Sequence, residues 1–385
     1  MVEERLRFVV LASQPASNMA KLCQEFGVSR QTGYNWLRRY QAGGAKQVVE
    51  RSRRPHHSPK RISEEMETKI VQLRQERPDW GAPKLKVLLE REQPGWLIAE
   101  RTVHRVLNRR GLILDEDRPA RATKRFERGA PNELWQMDFK GPQGFNRPGA
   151  SVGPLVILDD HSRMMLALQH LGSTKAQGVR DTLEAVFKEC GLPDAMLFDH
   201  GTPWWNNNSP WGLSELSVWI LRHGVRIYYC GVRHPQTQGK TERANGCLQR
   251  AVRKRKGDPA AQPWLDSYRH EHNHIRPSEA LGMQTPATRW KPSARKYQEK
   301  PPEWAYPDSM TVLPVREGGY VRWRGRRWEI SQALRHERVG IELLGDRALV
   351  YFCNNPMREL HLATGQTYSI PTAIRIPNGE VQTVE

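Results

Sequence analysis

Leu134-Trp135-Gln136-Met137-Asp138-Phe139-Lys140 is a short apolar run that reads as a β-strand carrying one acid near its end. Alternate residues of a strand share a face, so Trp135, Met137 and Phe139 pack one way while Gln136 and Asp138 turn the other. Two more acids stand in related settings. Ala195-Met196-Leu197-Phe198-Asp199-His200-Gly201 is a second strand-like run that ends on a carboxylate. His234-Pro235-Gln236-Thr237-Gln238-Gly239-Lys240-Thr241-Glu242-Arg243 puts Glu242 at the opening of a helix, after a glycine-containing loop. Along that helix Ala244, Cys247, Leu248, Ala251 and Val252 keep the i, i+3, i+4, i+7, i+8 spacing of a buried stripe. Glu242, Asn245, Gln249 and Arg253 take the opposite face.

Each acid alone has an ordinary explanation, since Asp199 can begin a turn and Glu242 suits a helix N-terminus. Jointly they match what phosphodiester chemistry needs. A nucleophilic oxygen must be activated and a leaving oxygen stabilised on opposite sides of one phosphorus, which two divalent ions about 4 Å apart can do. Mg²⁺ takes hard oxygen ligands and keeps several waters, so a few carboxylates suffice. Asp138, Asp199 and Glu242 are therefore the expected catalytic acids and the ligands of two Mg²⁺ (or Mn²⁺) ions. Asp159 and Asp160 are rivals, but beside Ser162 they read as hairpin-turn residues. His270, His272 and His274 lie in a stretch that reads as helix. His270 and His274 would share a face, and two ligands do not fill a structural zinc site. A solvated or DNA-facing helix is expected there.

Sixty Lys+Arg against 42 Asp+Glu give a net charge of +18, which favours a polyanionic partner because neutralised phosphates release counterions. No apolar run approaches the length of a membrane span. The start, Met1-Val2-Glu3-Glu4-Arg5, lacks a secretory pattern. The five cysteines are scattered without a C-x-x-C pair, which reads as a reducing, cytoplasmic setting with packed thiols. At 385 residues the chain should hold two or three domains.

Residues 1–41 read as three helices, the last opened by Ser29 and carrying Tyr34, Trp36, Leu37 and Tyr40 on its apolar side. Helix, glycine turn, helix is the helix-turn-helix arrangement, which a plain three-helix bundle would also match. In it Arg30, Gln31, Thr32 and Asn35 would face base edges and Arg38 a phosphate. Residues 42–61 form a basic linker. A second helix-turn-helix unit spans 62–112, with Arg101, His104 and Arg105 on its last helix as further DNA contacts and Arg109 and Arg110 beside them. Another basic linker covers 113–131. The core, 132–298, alternates strands and helices in the pattern of a mixed five-stranded sheet covered by helices. Short strands separated by turn residues over 303–375 suggest a small β-barrel. Lys240 and Arg243 would touch phosphates beside Glu242, with Asn245, Gln249 and Arg253 along the same helix.

These residues resemble the bacterial insertion-sequence transposases of the DDE integrase-core superfamily, related to retroviral integrases. Leu134–Phe139 looks like the strand of the first acid, Phe198-Asp199-His200-Gly201 like the second motif, and His234–Arg243 like the third. Asn273-His274-Ile275-Arg276-Pro277-Ser278-Glu279-Ala280-Leu281-Gly282, with Thr285-Pro286 after it, is similar to the trailer behind the catalytic helix. The resemblance implies an RNase H-like core, a triad of Asp138, Asp199 and Glu242, divalent metal with no small-molecule cofactor, and homo-oligomers assembled on transposon ends. It implies a nucleoid-associated enzyme that binds terminal inverted repeats, cleaves a strand and joins it to target DNA, away from any membrane. Two departures stand out: His200 replaces the usual Asn, and the interval from Asp199 to Glu242 is long. The extra length falls around Trp204–Trp211. A DNA-binding regulator without catalysis and a degradative nuclease are the other readings.

Overall fold

The computed structural model describes residues 2–48, 62–113, 127–145, 151–206, 209, 212–229, 239–370, 374–375 and 381–382. The loop from His234 to Gln238, most of both basic linkers and part of the Trp204–Trp211 loop lie outside these residues. The chain divides into two compact units, up to Ser63 and from Glu64 onward.

The first unit holds α1 (Val2–Ala12), α2 (Met19–Glu25), α3 (Arg30–Gly43) and the single turn α4 (Ala45–Val48). Ser29 caps α3 as its position predicts, its Oγ accepting the Thr32 N–H at 3.2 Å. Phe8 is fully buried, with Phe26 and Trp36 edge-on to it at 5.5 Å each. Gly33 explains how closely the helices approach. A Cβ there would sit 2.7 Å from both Cys23 Sγ and the Phe8 ring. Tyr34, expected on the apolar side, is exposed instead, because Gly33 occupies the inward position.

The second unit opens with α5 (Glu64–Glu76), α6 (Ala82–Glu92) and α7 (Glu100–Arg109). Ile70, Leu73, Leu85, Leu89, Val103 and Leu107 are buried between them. Arg109 and Arg110 do not project as free contacts. They turn back onto the buried Glu67 carboxylate at 2.5 and 2.8 Å, since a buried charge must be paired.

The core follows as β1 (Trp135–Phe139), β2 (Leu155–Asp159), β3 (Met165–Gln169), α8 (Ala176–Cys190), β4 (Ala195–Phe198), α9 (Glu215–Arg222), β5 (Arg226–Tyr229), α10 (Gly239–Lys254) and α11 (Gln262–His270). Strand order is β3-β2-β1-β4-β5. β1, β2 and β3 pair antiparallel, while β1, β4 and β5 pair parallel because α8 and α9 carry the chain back across the sheet. This is the mixed five-stranded sheet expected. Strand parity sorts the two faces. Trp135, Met137, Leu155 and Ile157 join Leu183 and Phe187 of α8, whereas Val156, Leu158 and Met165 meet Leu248 of α10 and Tyr268 of α11.

α11 runs into a π-helical turn, Glu271–Ile275, that alters the histidine reading. Asn273 bonds both the N–H and the carbonyl of Met165 at 2.9 Å, so the turn is stitched to β3. His272 therefore faces inward, its Nε2 3.1 Å from the Arg163 carbonyl, and not to solvent or DNA. Burial pushes its imidazole down to about 4. Below pH 6.5 the unfolded chain takes up a proton that the folded chain refuses, so stability falls as pH drops from 6.5 toward 4, by up to about 3 kcal/mol. In thermal melts across that window His272→Gln should lose less stability than the parent; equal losses would exclude His272 as the cause.

Beyond the core lie β6 (Thr311–Pro314), β7 (Tyr320–Trp323), β8 (Arg326–Glu329), β9 (Arg338–Leu344), β10 (Arg347–Phe352), β11 (Asn355–His361), β12 (Thr367–Ser369), β13 (Ile374–Arg375) and β14 (Val381–Gln382). β7 and β8 form the expected tight hairpin through Arg324-Gly325, both at positive φ, as a two-residue turn requires. The larger sheet is ordered β12-β11-β10-β9-β6. Among the described residues no pairing joins β6 to β12, so this sheet is open and does not close into the expected barrel. It is packed firmly on the core, since Trp328, Leu334 and Ile341 share one apolar cluster with Trp219 and Phe187. Among the described residues no helix is long and apolar enough to cross a membrane.

Candidate active site

β1 and β4 lie side by side and parallel, which brings the ends that carry Asp138 and Asp199 to one edge of the sheet. Below them Trp204 is 1% exposed and stacks on Phe139 at 5.7 Å and on Phe198 at 5.3 Å. It thus braces the residue next to each acid. Its indole Nε1–H also donates to Asp199 Oδ1 at 2.8 Å, and the Gly201 N–H donates to the same oxygen at 2.9 Å. Both bonds fall on Oδ1 and neither on Oδ2. Gly201 is needed for this turn, because a Cβ there would lie 2.8 Å from the Asp199 carboxylate.

Asp138 is half-buried and accepts a hydrogen bond from Asn245 Nδ2 at 3.1 Å. Burial, and after it the charges of Asp199 and Glu242, raise its carboxyl to about 6. Those two contributions place all three carboxylates in one electrostatic neighbourhood. Glu242 itself is exposed in the first turn of α10.

The start of α10 is pinned by a buried polar cluster. Gln136, two residues before Asp138, is fully buried and accepts from Thr241 Oγ1 at 2.8 Å. Its amide donates to Asp160 Oδ1 at 2.8 Å. Asp160 Oδ2 accepts the Arg128 N–H at 2.8 Å and forms an ion pair with Lys240. Asp159 accepts from the Asn132 and Ser162 N–H groups at 2.7 Å each. Both acids thus lie at the expected β2–β3 hairpin turn, where Asp159 also accepts from Ser162 Oγ, and serve in addition as buried anchors. The anchoring role is not legible locally, because Arg128, Asn132, Gln136 and Lys240 lie far away in sequence.

The DNA-contact candidates divide. Arg30, Gln31, Asn35 and Arg38 are exposed on α3, while Thr32 is engaged with the cap, its hydroxyl 2.9 Å from Ser29 Oγ. Arg101, His104 and Arg105 are exposed on α7, opposite Val103, Val106 and Leu107. Arg243 and Arg253 are exposed on α10, and Gln249 Nε2 donates to the Gln143 carbonyl at 3.3 Å. Asn245 is corrected: 8% exposed, it faces Asp138 and not a groove. Lys240 turns to Asp160, its side chain 13% exposed. His200, where an Asn is usual, sits edge-on to Trp205 at 4.4 Å and over Tyr229.

Among the described residues no group of three or more His, Cys, Asp or Glu side chains is placed to hold a metal ion. The donor set nonetheless fits a hard divalent cation. Like-charged carboxylates raise one another's proton affinity, and Asn245 Oδ1 beside them is buried with no hydrogen-bond partner among the described residues. A cation relieves both conditions.

Known families and proteins match along the chain. Integrase core domain models match residues 128–235 and 223–286. A helix-turn-helix domain matches 4–56, and a homeodomain-like domain matches 32–107. The insertion element IS407 uncharacterized 31.7 kDa protein of Burkholderia multivorans is 24% identical over 261 residues, covering 64% of this chain and 86% of that protein. Among solved structures, a chain of the simian T-cell lymphotropic virus intasome in complex with PP2A regulatory subunit B56 gamma is 13% identical. It has a TM-score of 0.38 and covers 78% of this chain and 99% of that one. The HTLV-2 integrase catalytic core domain in complex with magnesium is 12% identical with a TM-score of 0.33, covering 42% of this chain and 97% of that one. Helix-turn-helix domains ahead of an integrase core, with an insertion-element relative along most of that span, support a bacterial insertion-sequence transposase of the DDE integrase-core superfamily.

Proposed function

We propose that the protein binds the terminal inverted repeats of its element and carries out both strand cleavage and strand transfer at Asp138, Asp199 and Glu242. The observation that carries this is the shared field of the three carboxylates, in which Asp138 holds its proton to about pH 6. Structural acids gain nothing from such crowding, whereas a site built to receive Mg²⁺ or Mn²⁺ needs it. When bound, two such ions would supply Lewis acidity and charge neutralisation at the phosphoryl group.

The chain's own residues do the rest. Asn245 orients Asp138, Trp204 and Gly201 hold Asp199 by one oxygen, and the Gln136–Asp160–Lys240 cluster sets where Glu242 begins. Water attacks one phosphodiester and leaves a 3′-hydroxyl. That hydroxyl then attacks target DNA, one P–O bond forming for each one broken, with no covalent link to protein. Arg30, Gln31, Asn35 and Arg38 on α3 and Arg101, His104 and Arg105 on α7 are positioned to read repeat DNA. Arg243 and Arg253 suit its backbone near the cut. Copies of the chain assemble on paired ends in the nucleoid, and the C-terminal sheet serves this assembly or the DNA.

Incubation of the protein with Mg²⁺ and labelled duplex carrying the element's own ends tests this reading. Nicked and joined products are expected. A mobility shift without nicks in either Mg²⁺ or Mn²⁺ would instead mark a regulator, and cutting without sequence preference a degradative nuclease.

A further inference from the structure

Asp79 follows α5 in the turn Pro78-Asp79-Trp80-Gly81, which the sequence offers only as a helix break. Its side chain is fully enclosed and grips two arginines of the core. Arg255 Nε lies 2.7 Å from one oxygen and Arg276 Nη1 3.2 Å from the other. Arg255 also reaches Glu271 at 2.6 Å. Trp80 is fully buried beneath the Arg276 guanidinium, 5.8 Å away. At the rim, Arg91 Nη2 donates to the Met283 carbonyl at 3.0 Å and Lys84 pairs with Glu279. A carboxylate and two guanidiniums taken out of water hold only while they stay together, so this contact is a latch and not a passing touch.

Its location gives it meaning. Arg255 directly follows α10, whose first turn carries Glu242. One rigid helix, roughly 20 Å at 1.5 Å per residue, separates the latch from the third acid. α7, the exposed basic helix, belongs to the same small unit as Asp79.

We infer that the second helix-turn-helix unit works while docked, and that Asp79 fixes which phosphodiester is cut by holding that unit at a set distance from Glu242. This rests on the function proposed above. Asp79 is a positioning residue: it touches no DNA and acts through Arg255 and Arg276. A reader that swung on its linker would present a spread of phosphodiesters to the acids, whereas a latched one presents a single position.

The test maps nick positions at nucleotide resolution for full-length wild-type and Asp79→Asn protein, using Mg²⁺ and labelled duplex from the element's ends. Wild type should give one dominant nick. Asp79→Asn should keep its mobility shift but scatter nicks over neighbouring positions, the share at the main position falling about tenfold, as small misplacements do. An unchanged single nick at wild-type share overturns the inference. Should Asp79→Asn fail to fold, a second arm uses wild type alone: zero-length carbodiimide coupling of Lys84 to Glu279, quantified by mass spectrometry with and without bound DNA. Equal yields support a docked working state, and loss of the coupled peptide on DNA binding overturns it. Wild type that binds without nicking sinks the proposed function, and the coupling arm still decides the docking.

Discussion

Asp138→Asn should abolish nicking and joining, at least about 10³-fold, while making the metal-free protein more stable at pH 8. The two effects share one cause. Burial and the neighbouring Asp199 and Glu242 charges hold the Asp138 carboxyl at about 6, against 3.8 in an ordinary chain. A raised carboxyl favours the folded state at low pH and loses that advantage as pH rises through 6. At pH 8 the folded protein carries the full penalty of an ionised group in a repulsive place, about 2–3 kcal/mol. An amide of the same shape removes it. The thermal midpoint should rise by about 5 °C at pH 8 and by nothing near pH 4, where the wild-type acid is already protonated. Mg²⁺ should raise the wild-type midpoint by mass action and leave the variant unmoved. DNA shifts should be unaltered, since α3 and α7 lie outside the change. A variant that melts at the wild-type temperature at pH 8, or still joins strands, would remove Asp138 from the role assigned to it.

That the three acids were readable from sequence follows from local pattern. Alternation set Asp138 on the polar side of β1, and the i, i+3, i+4 stripe of α10 set Glu242 away from its core. The same alternation that kept Asp138 accessible put Gln136 on its side of the strand, but nothing local said that Gln136 would be buried under Thr241 and Asp160. Anchors of this kind are pairs between distant segments, and one partner carries no trace of the other. Asp160 therefore reads as a turn residue, Asn245 as a groove contact and Asp79 as a helix break. His272 was misplaced for a related reason, since its inward aim depends on Asn273 stitching the π turn to β3. Closure of the C-terminal strands failed because local alternation predicts strands, while closure depends on which edges meet. Trp204 looked like part of an insertion, yet it braces both acid-bearing strands.

Asp160→Ala should be the most damaging change outside the three acids. Asp160 is fully buried, and its two oxygens satisfy the Arg128 N–H, the Gln136 amide and the Lys240 ammonium. Removing it takes the Asp160 counter-ion from the enclosed Lys240 and an acceptor from each of two buried donors. Breaking a buried pair from one side costs about 3–5 kcal/mol, so the thermal midpoint should fall on the order of 10 °C. Activity should fall with it, because α10 loses the anchors that set the position of Glu242. The double change Asp160→Leu with Lys240→Met separates two roles for the lysine. Replacing both partners of a buried pair with apolar groups of similar volume is often nearly neutral, so the midpoint should recover part of the loss, the part due to the Arg128 N–H and the Gln136 amide remaining. If Lys240 acts as a strut for α10, nicking recovers along with stability. If its ammonium also leaves Asp160 to meet a phosphate in the complex, the double variant folds, binds and does not cut. Burial already draws the Lys240 ammonium down to about 8, and releasing it into a groove means abandoning the buried Asp160 carboxylate. Recovery of nicking is therefore the expected result, and a folded, inactive double variant would return Lys240 to the DNA.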